Sequence, residues 1–241
     1  MISKTIYRMG LHRDILSHSR FSKITRLFVR GKVRTLEIGT GGGPFSIELL
    51  ERENSLTIVE IDESTAQKTH DKIESYFPDA SVEIIVGHAN KAEIRGPYHQ
   101  VILLEVLEHV KEDRLLLRRL SDVLEQGGRL LISTPTATAG LLRDDAVTDI
   151  EDGGHVRVGY NGPELDEYLR EAGFITISRD NYGYLYARII QEVQRLCNKI
   201  PVHMLRLLGN MCCVLFYRLT SFMDNVYKKY PAGQITLAVK R

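Results

Sequence analysis

The sequence predicts an α/β protein with a mostly parallel sheet and helices on both of its faces. Three observations predict it. Strand-like and helix-like patterns alternate through roughly the first 180 residues, the order of a parallel sheet with crossover helices. The runs Val101-Ile-Leu-Leu104 and Leu130-Leu-Ile132 are continuously apolar, as strands buried on both faces must be. A glycine cluster, Gly39 to Gly43, falls between the first strand pattern and a helical run, where the carboxyl edge of such a sheet opens onto ligands.

Residues 2–30 space Ile15, Leu16, Ile24, Leu27 and Phe28 at helical intervals. Val33 to Ile38 reads as the first strand, and Pro44 opens a helix through Leu50, a position that suits proline. Leu56 to Glu60 is the second strand. Ser64-x-x-Gln67 is a capping-box signature for a helix through Tyr76, stopped by Pro78. Val82 to Val86 and Val101 to Leu104 are strands three and four. Glu112 to Leu124 is a helix ended by Gly127-Gly128, and Arg129 to Ser133 is strand five. Asn161, with Pro163 and Glu164, starts a helix to Ala172. Ile175 to Ser178 and Ile235 to Val239 complete the set as strands six and seven.

A chain of 241 residues suits one substantial core with an accessory segment. Its three cysteines, Cys197, Cys212 and Cys213, give no disulfide framework, and we expect reduced packing thiols in a cytoplasmic protein. Lys4, Arg8 and Arg13 interrupt the N-terminus before any apolar run, so no signal peptide is expected. The net charge of +1 hides an asymmetry: residues 1–35 carry +8, residues 188–230 carry +5, and the stretch 36–187 carries −14. Either the basic segments pack on the acidic body, or they meet an anionic substrate or membrane.

The informative stretch is Glu37-Ile-Gly39-Thr-Gly41-Gly-Gly43-Pro44. Glycines let the backbone turn tightly and approach a ligand, and the helix that follows offers free N–H groups. A G-x-G-x-x-G dinucleotide loop would need glycine where Pro44 stands. Glu37 would also repel a pyrophosphate and attract the ammonium group of an amino acid. Glu60, 17 residues after Gly43 at the end of the second strand, is placed to take both hydroxyls of a ribose.

These residues resemble the class I S-adenosylmethionine (SAM)-dependent methyltransferase superfamily. Glu37 to Gly43 looks like its first motif and Val59-Glu60-Ile61-Asp62 like its second. Val86-Gly87-His88-Ala89 resembles the third strand end, with His88 where the family usually has an adenine-contacting aspartate; the Ala89 backbone could serve instead. Tyr98-His99-Gln100-Val101 resembles the entry to strand four. Glu105-Val-Leu-Glu108-His109-Val and Gly127 to Pro135 are similar to one large branch that includes ubiquinone-biosynthesis O-methyltransferases and enzymes of small-molecule and glycan modification. The resemblance covers residues 33–180 and the last strand. It implies a Rossmann-like seven-stranded sheet with residues 235–239 antiparallel, SAM as cofactor, and Glu37, Gly39, Thr40, Gly41, Gly43, Glu60, Ile61, His88, Ala89 and Glu105 as its binding residues.

SAM already carries an activated methyl group, so alignment of the nucleophile is the main task, and a base is needed only for a hydroxyl or protonated amine. His109, after strand four, is the candidate base; the alternative is a packing histidine. A few enzymes of the branch hold a divalent metal on a Glu-x-x-Glu-His cluster plus a later histidine. Glu105, Glu108, His109 and His155 would be that set here, but the motif is common in metal-free relatives, and we assign no metal ligand.

Residues 182–230 separate the last two strands, where a plain domain would have a short loop. They read as an apolar, basic helical insert broken at Pro201. A membrane span needs about 20 apolar residues, and Arg206, Asn210 and Arg218 interrupt the run. The insert is therefore a helix packed on the core, a lid, an oligomer contact or a membrane-interface segment through 188–230. We expect it to cap the acceptor site together with the N-terminal helix. The organisation is thus a basic helical segment (1–32), a SAM-binding domain (33–181), the insert (182–230) and a final strand segment (231–241).

The expected function is methyl transfer to a small-molecule, lipid or glycan acceptor at a hydroxyl oxygen, in the cytoplasm or at the inner membrane face. The alternatives are an NAD-dependent oxidoreductase and a non-catalytic membrane-associated protein. Nucleic acid is not an expected partner, because the basic clusters lack interleaved aromatics.

Overall fold

The apolar runs read from the sequence become neighbouring strands. The computed structural model describes residues 15–137, 147–148, 151, 154–226 and 228–241. The strands are β1 (Arg34–Ile38), β2 (Ser55–Glu60), β3 (Val82–Val86), β4 (Tyr98–Leu104), β5 (Leu124–Pro135), β6 (Phe174–Tyr182) and β7 (Gly233–Lys240). They form one seven-stranded sheet in the order β3-β2-β1-β4-β5-β7-β6. β1 runs parallel to both β2 and β4, and β2–β3 and β4–β5 are also parallel pairs.

Alternate residues of each strand face opposite sides. Leu36, Val101, Leu103, Leu130 and Ile132 join one buried cluster with Leu116, Leu117 and Leu120 of α4 (Asp113–Val123) and Leu165 and Leu169 of α5 (Gly162–Glu171). The residues between them, Glu37 and Gln100 among others, are equally buried. α2 (Pro44–Leu50) buries Phe45, Ile47, Leu49 and Leu50, and α3 (Glu63–Tyr76) buries Ala66, Thr69 and Ile73. Two parts of the chain form separate compact units: residues 27–180 with 234–241, and residues 1–26 with 181–233. In the second, α1 (Ile15–Thr25), α6 (Leu185–Asn198) and α7 (His203–Thr220) share a small core of Ile15, Ala187, Ile190, Cys213, Val214 and Tyr217, and α8 (Phe222–Val226) follows α7. Gln194 and Gln191 accept from Ile15 N (3.1 Å) and Leu16 N (3.2 Å), which ties α6 to α1.

Several boundaries differ from expectation. The α3 cap is Asp62, not Ser64: the Asp62 carboxylate accepts from Thr65 N at 2.7 Å, while Ser64 Oγ donates to that same carboxylate. β4 begins three residues early because Gln100, buried within it, is satisfied by Thr35 Oγ1 (2.8 Å) and Asn54 Oδ1 (2.6 Å). β5 begins at Leu124, and a register shift between Tyr98 and Gln100 absorbs the glycines expected to separate helix from strand. β6 extends to Tyr182 and β7 spans Gly233–Lys240, both longer than their apolar kernels. The Asn161 capping box is present, with Glu164 closing it. Cys213 packs in the helical core, whereas Cys212 is exposed rather than packed. The expected helix over 2–30 is described from Ile15 only; its first part lies outside the described residues.

Candidate active site

The glycine loop leaves β1 in left-handed backbone conformations, with φ of 72° at Gly39 and 77° at Gly43. Gly39 is held by its neighbours: its N–H donates to Val59 O at 2.8 Å, and a Cβ on it would lie 2.5 Å from Val106 Cγ2. The turn after β4 therefore lies directly against the glycine loop. Gly41 has open space around its Cα, as a backbone that admits a ligand requires. Thr40 is buried and its hydroxyl pairs with Thr69 at 2.8 Å; Lys72 Nζ donates to Gly42 O. The contrast between two glycines predicts different costs. Gly39→Ala should destabilise by on the order of 3 kcal/mol, from steric overlap plus a left-handed φ, and Gly41→Ala by about 1 from φ alone. Equal denaturant midpoints for the two variants would contradict this.

Two carboxylates frame the loop. Glu60 Oε2 accepts from Thr40 N (2.9 Å) and Oε1 from Asp62 N (3.1 Å), so its side chain ties the glycine loop to the start of α3. Each oxygen keeps a second lone pair for a hydroxyl donor. Glu37 is 1 % exposed, and Ser46 Oγ donates to its Oε2 at 2.6 Å. Burial pushes the Glu37 carboxyl from 4.5 up to about 8; the Ser46 bond lowers it, and the nearby Glu60 charge raises it. The carboxyl is thus mostly protonated at neutral pH until a cation arrives. With that proton in place, Glu37 is not the standing anion that the repulsion argument from the sequence assumed.

The remaining expected cofactor residues are more dispersed. Ile61 is exposed and Ala89 buried. His88 Nδ1 accepts from Asn90 N at 3.1 Å, and its Nε2 lies 3.3 Å from Glu151 Oε2, so both ring nitrogens are engaged within the protein. Glu105, at the end of β4, takes a left-handed φ of 55° while its N–H donates to Ser133 O at 2.8 Å. Its carboxylate accepts from Ser133 Oγ.

Beyond it, a single 3₁₀ turn (Leu107–His109) places Glu108 inside, 1 % exposed, and His109 half-buried. His109 Nδ1 lies 2.9 Å from Gly154 O. A carbonyl can only accept, so Nδ1 carries the proton and Nε2 presents a lone pair. The His155 ring stands edge-on to His109 at 4.7 Å between centroids. One ligand atom from each of Glu108, His109 and His155 falls within 4.8 Å of the others. This set, with a carbonyl fixing one imidazole, fits a divalent metal of the Zn, Fe or Mn kind. Glu105 is not in the group, since its carboxylate is turned to Ser133.

What brings His155 here was not legible beforehand. Val156 N donates to Glu108 O at 2.9 Å. Arg157 donates to Asp113 Oδ2 at 2.9 Å and to Glu164, and lies over the Tyr160 ring at 3.9 Å. The Tyr160 hydroxyl lies 2.8 Å from Asp113 Oδ2 and 3.1 Å from Leu107 O, and burial pushes this phenol far above its usual range. Asp113, Arg157 and Tyr160 together clamp residues 154–160 onto the 107–109 turn. No local pattern announces them; only the acid opening α4 could have drawn notice. Ser46 was likewise missed, although its place two residues after Pro44, on the first turn beneath the strand, points its hydroxyl at Glu37.

A family model described as a methyltransferase domain matches residues 12–178. The chain belongs to this methyltransferase family. The class I superfamily resemblance holds, the cofactor is SAM, and the dinucleotide alternative falls. The chain is 31 % identical over 111 residues to the ubiquinone biosynthesis O-methyltransferase of Marinobacter nauticus, covering 45 % of this chain and 46 % of that protein. It is 28 % identical over 192 residues to the mitochondrial ubiquinone biosynthesis O-methyltransferase of Schizosaccharomyces pombe, covering 74 % and 69 % respectively. The match thus spans under half the length of the first relative. A solved SAM-dependent methyltransferase from Mesorhizobium loti shares the fold, with a TM-score of 0.65 and 13 % identity over 96 % of this chain and 100 % of that one.

Proposed function

We propose that the protein transfers a methyl group from SAM to a hydroxyl oxygen of a small-molecule or lipid-linked acceptor, with His109 as proton acceptor. The observation that carries this is the His109 Nδ1–Gly154 O bond, which in the neutral ring leaves the lone pair on Nε2, in the turn that packs on the glycine loop. SAM, when bound, supplies the activated methyl group. Glu60 takes the ribose hydroxyls, and Glu37 ionises against the methionine ammonium. Gly39 to Gly43 lets the backbone close on the cofactor. As the acceptor oxygen took the methyl group, the sulfur–methyl bond would break to leave S-adenosylhomocysteine, and the hydroxyl proton would pass to His109 Nε2. The O-methyltransferase names of the relatives above support oxygen over nitrogen as acceptor.

The first test is thermal unfolding with S-adenosylhomocysteine (SAH) and, separately, NAD. A ligand at 100 times its Kd adds about 2.7 kcal/mol, and roughly 2–4 °C in Tm per kcal/mol is expected at this size. A rise with SAH and none with NAD is the expected result. The second test incubates the protein with methyl-labelled SAM and a panel of phenolic and prenylated hydroxyl compounds beside primary amines. Label confined to the amines would defeat the oxygen assignment.

The Glu108, His109 and His155 group favours a second reading, in which a divalent cation orients an acceptor diol at the same place. Turnover that survives exhaustive chelation, with no metal retained by the purified protein, excludes that reading and leaves His109 as base.

A further inference from the structure

Among the described residues, the helical unit carries an exposed apolar face. On α7 the inward stripe is Asn210, Cys213, Val214 and Tyr217, half-buried or buried at helical spacing. The other side is not the polar surface that such a helix should show to water. Met204, Leu205, Leu208, Leu215 and Phe216 are all exposed there, and Leu219 is 81 % exposed. α6 repeats the pattern, with Ile189, Val193 and Leu196 exposed at i, i+4 and i+7, and Phe222 and Val226 extend it along α8. A surface of this extent marks an interaction site.

Charge selects its occupant. Exposed Lys199, Lys228 and Lys229 belong to the same segment as these apolar side chains. The two acids of the segment do not offset them. Glu192 is paired with Arg195 at 2.6 Å, and Asp224 is buried, accepting from Ala187 N at 3.1 Å and from the Tyr217 hydroxyl. A second copy of the chain would bring the same cations against these. An anionic lipid surface would neutralise them while its acyl chains receive the leucines. Among the described residues no helix is long and apolar enough to cross a membrane, so the helix would lie in the interface plane.

We propose that the outer face of α7, flanked by α6 and α8, docks the protein peripherally on anionic phospholipid membranes. This inference stands on the helical unit alone and does not depend on the methyl-transfer reading. The test uses the full chain and flotation with phosphatidylcholine vesicles, with and without phosphatidylglycerol, at low and high salt. Binding that requires phosphatidylglycerol and weakens with salt is expected. Leu208→Glu with Leu219→Glu should lower it by about tenfold per leucine. Lys228→Glu with Lys229→Glu should lower it by roughly fivefold per charge removed. The lysine pair keeps the test decisive should the leucine pair fail to fold. The SAH-induced rise in Tm should be unchanged in both variants, so a failure of membrane docking and a failure of cofactor binding read out separately. No binding to phosphatidylglycerol vesicles, or equal binding to neutral ones, overturns the proposal. So does a dimer in solution that the leucine substitutions dissolve while vesicle binding is absent.

Discussion

His109→Ala is expected to lower kcat by about 100- to 10,000-fold, the range for losing a positioned proton acceptor, while SAH still raises Tm. The substitution removes Nε2 but touches none of the groups assigned to the cofactor. The lost Nδ1–Gly154 O bond costs only about 1 kcal/mol of stability. The companion variant His155→Ala separates the two readings of the site. If His109 acts alone as base, His155 takes no part in the proton transfer, and its loss costs far less than that of His109. If Glu108, His109 and His155 hold a cation, both histidine variants lose the metal and lose turnover together. A His109→Ala enzyme that turns over at the wild-type rate would remove His109 from the mechanism under either reading.

Glu37→Gln should stabilise the ligand-free protein at alkaline pH while weakening its hold on SAM. The Glu37 carboxyl ionises near 4.5 in the unfolded chain and near 8 in the folded one. Between these values the folded state keeps a proton that the unfolded state has released. Stability from this group is therefore fully present below 4.5, falls as pH rises, and levels off above about 8. At about 1.4 kcal/mol per unit the whole fall is on the order of 5 kcal/mol. Glutamine cannot ionise, so the variant loses that slope, and its Tm exceeds wild type increasingly from mildly acidic to alkaline pH. Binding has the opposite dependence. A ligand ammonium needs the ionised carboxylate, so SAM affinity in the wild type rises toward pH 8, and binding below it releases a proton. Calorimetry in buffers of different ionisation enthalpy reads that proton directly. Identical Tm–pH slopes in the wild type and Glu37→Gln would mean that Glu37 is solvated, contrary to its burial.

The glycine loop and its two flanking acids are legible in the residues themselves. Glu37, Gly39 to Gly43 and Glu60 form short patterns at the ends of β1 and β2, and such patterns follow from backbone geometry that acts within a few residues. Local signals misled where a stronger neighbour competed. Ser64 has the right chemistry for a cap, but Asp62 lies two residues earlier with a carboxylate that reaches Thr65 N. Gly127 and Gly128 looked like a boundary, yet pairing with β4 carries the strand through them. His88 stands at an adenine position in the sequence pattern. In the fold its Nδ1 accepts from Asn90 N and its Nε2 lies 3.3 Å from Glu151 Oε2, 63 positions away, a neighbour that no local pattern names.

By itself, the sequence determined the alternation of strands and helices, the glycine loop with its two acids, and the apolar, basic character of the segment before the last strand. Each is a periodicity or a motif, set by how the backbone and neighbouring side chains behave within a turn or two. Only the tertiary structure decided the protonation of Glu37, because burial beneath α2 is not a local property. It alone delivered His155 to His109, through Arg157, Asp113 and Tyr160, whose hydrogen bonds and stacking join segments more than 40 residues apart. It also decided which leucines of α7 are covered and which are left facing outward, since helical period defines a stripe but not the partner against which it packs.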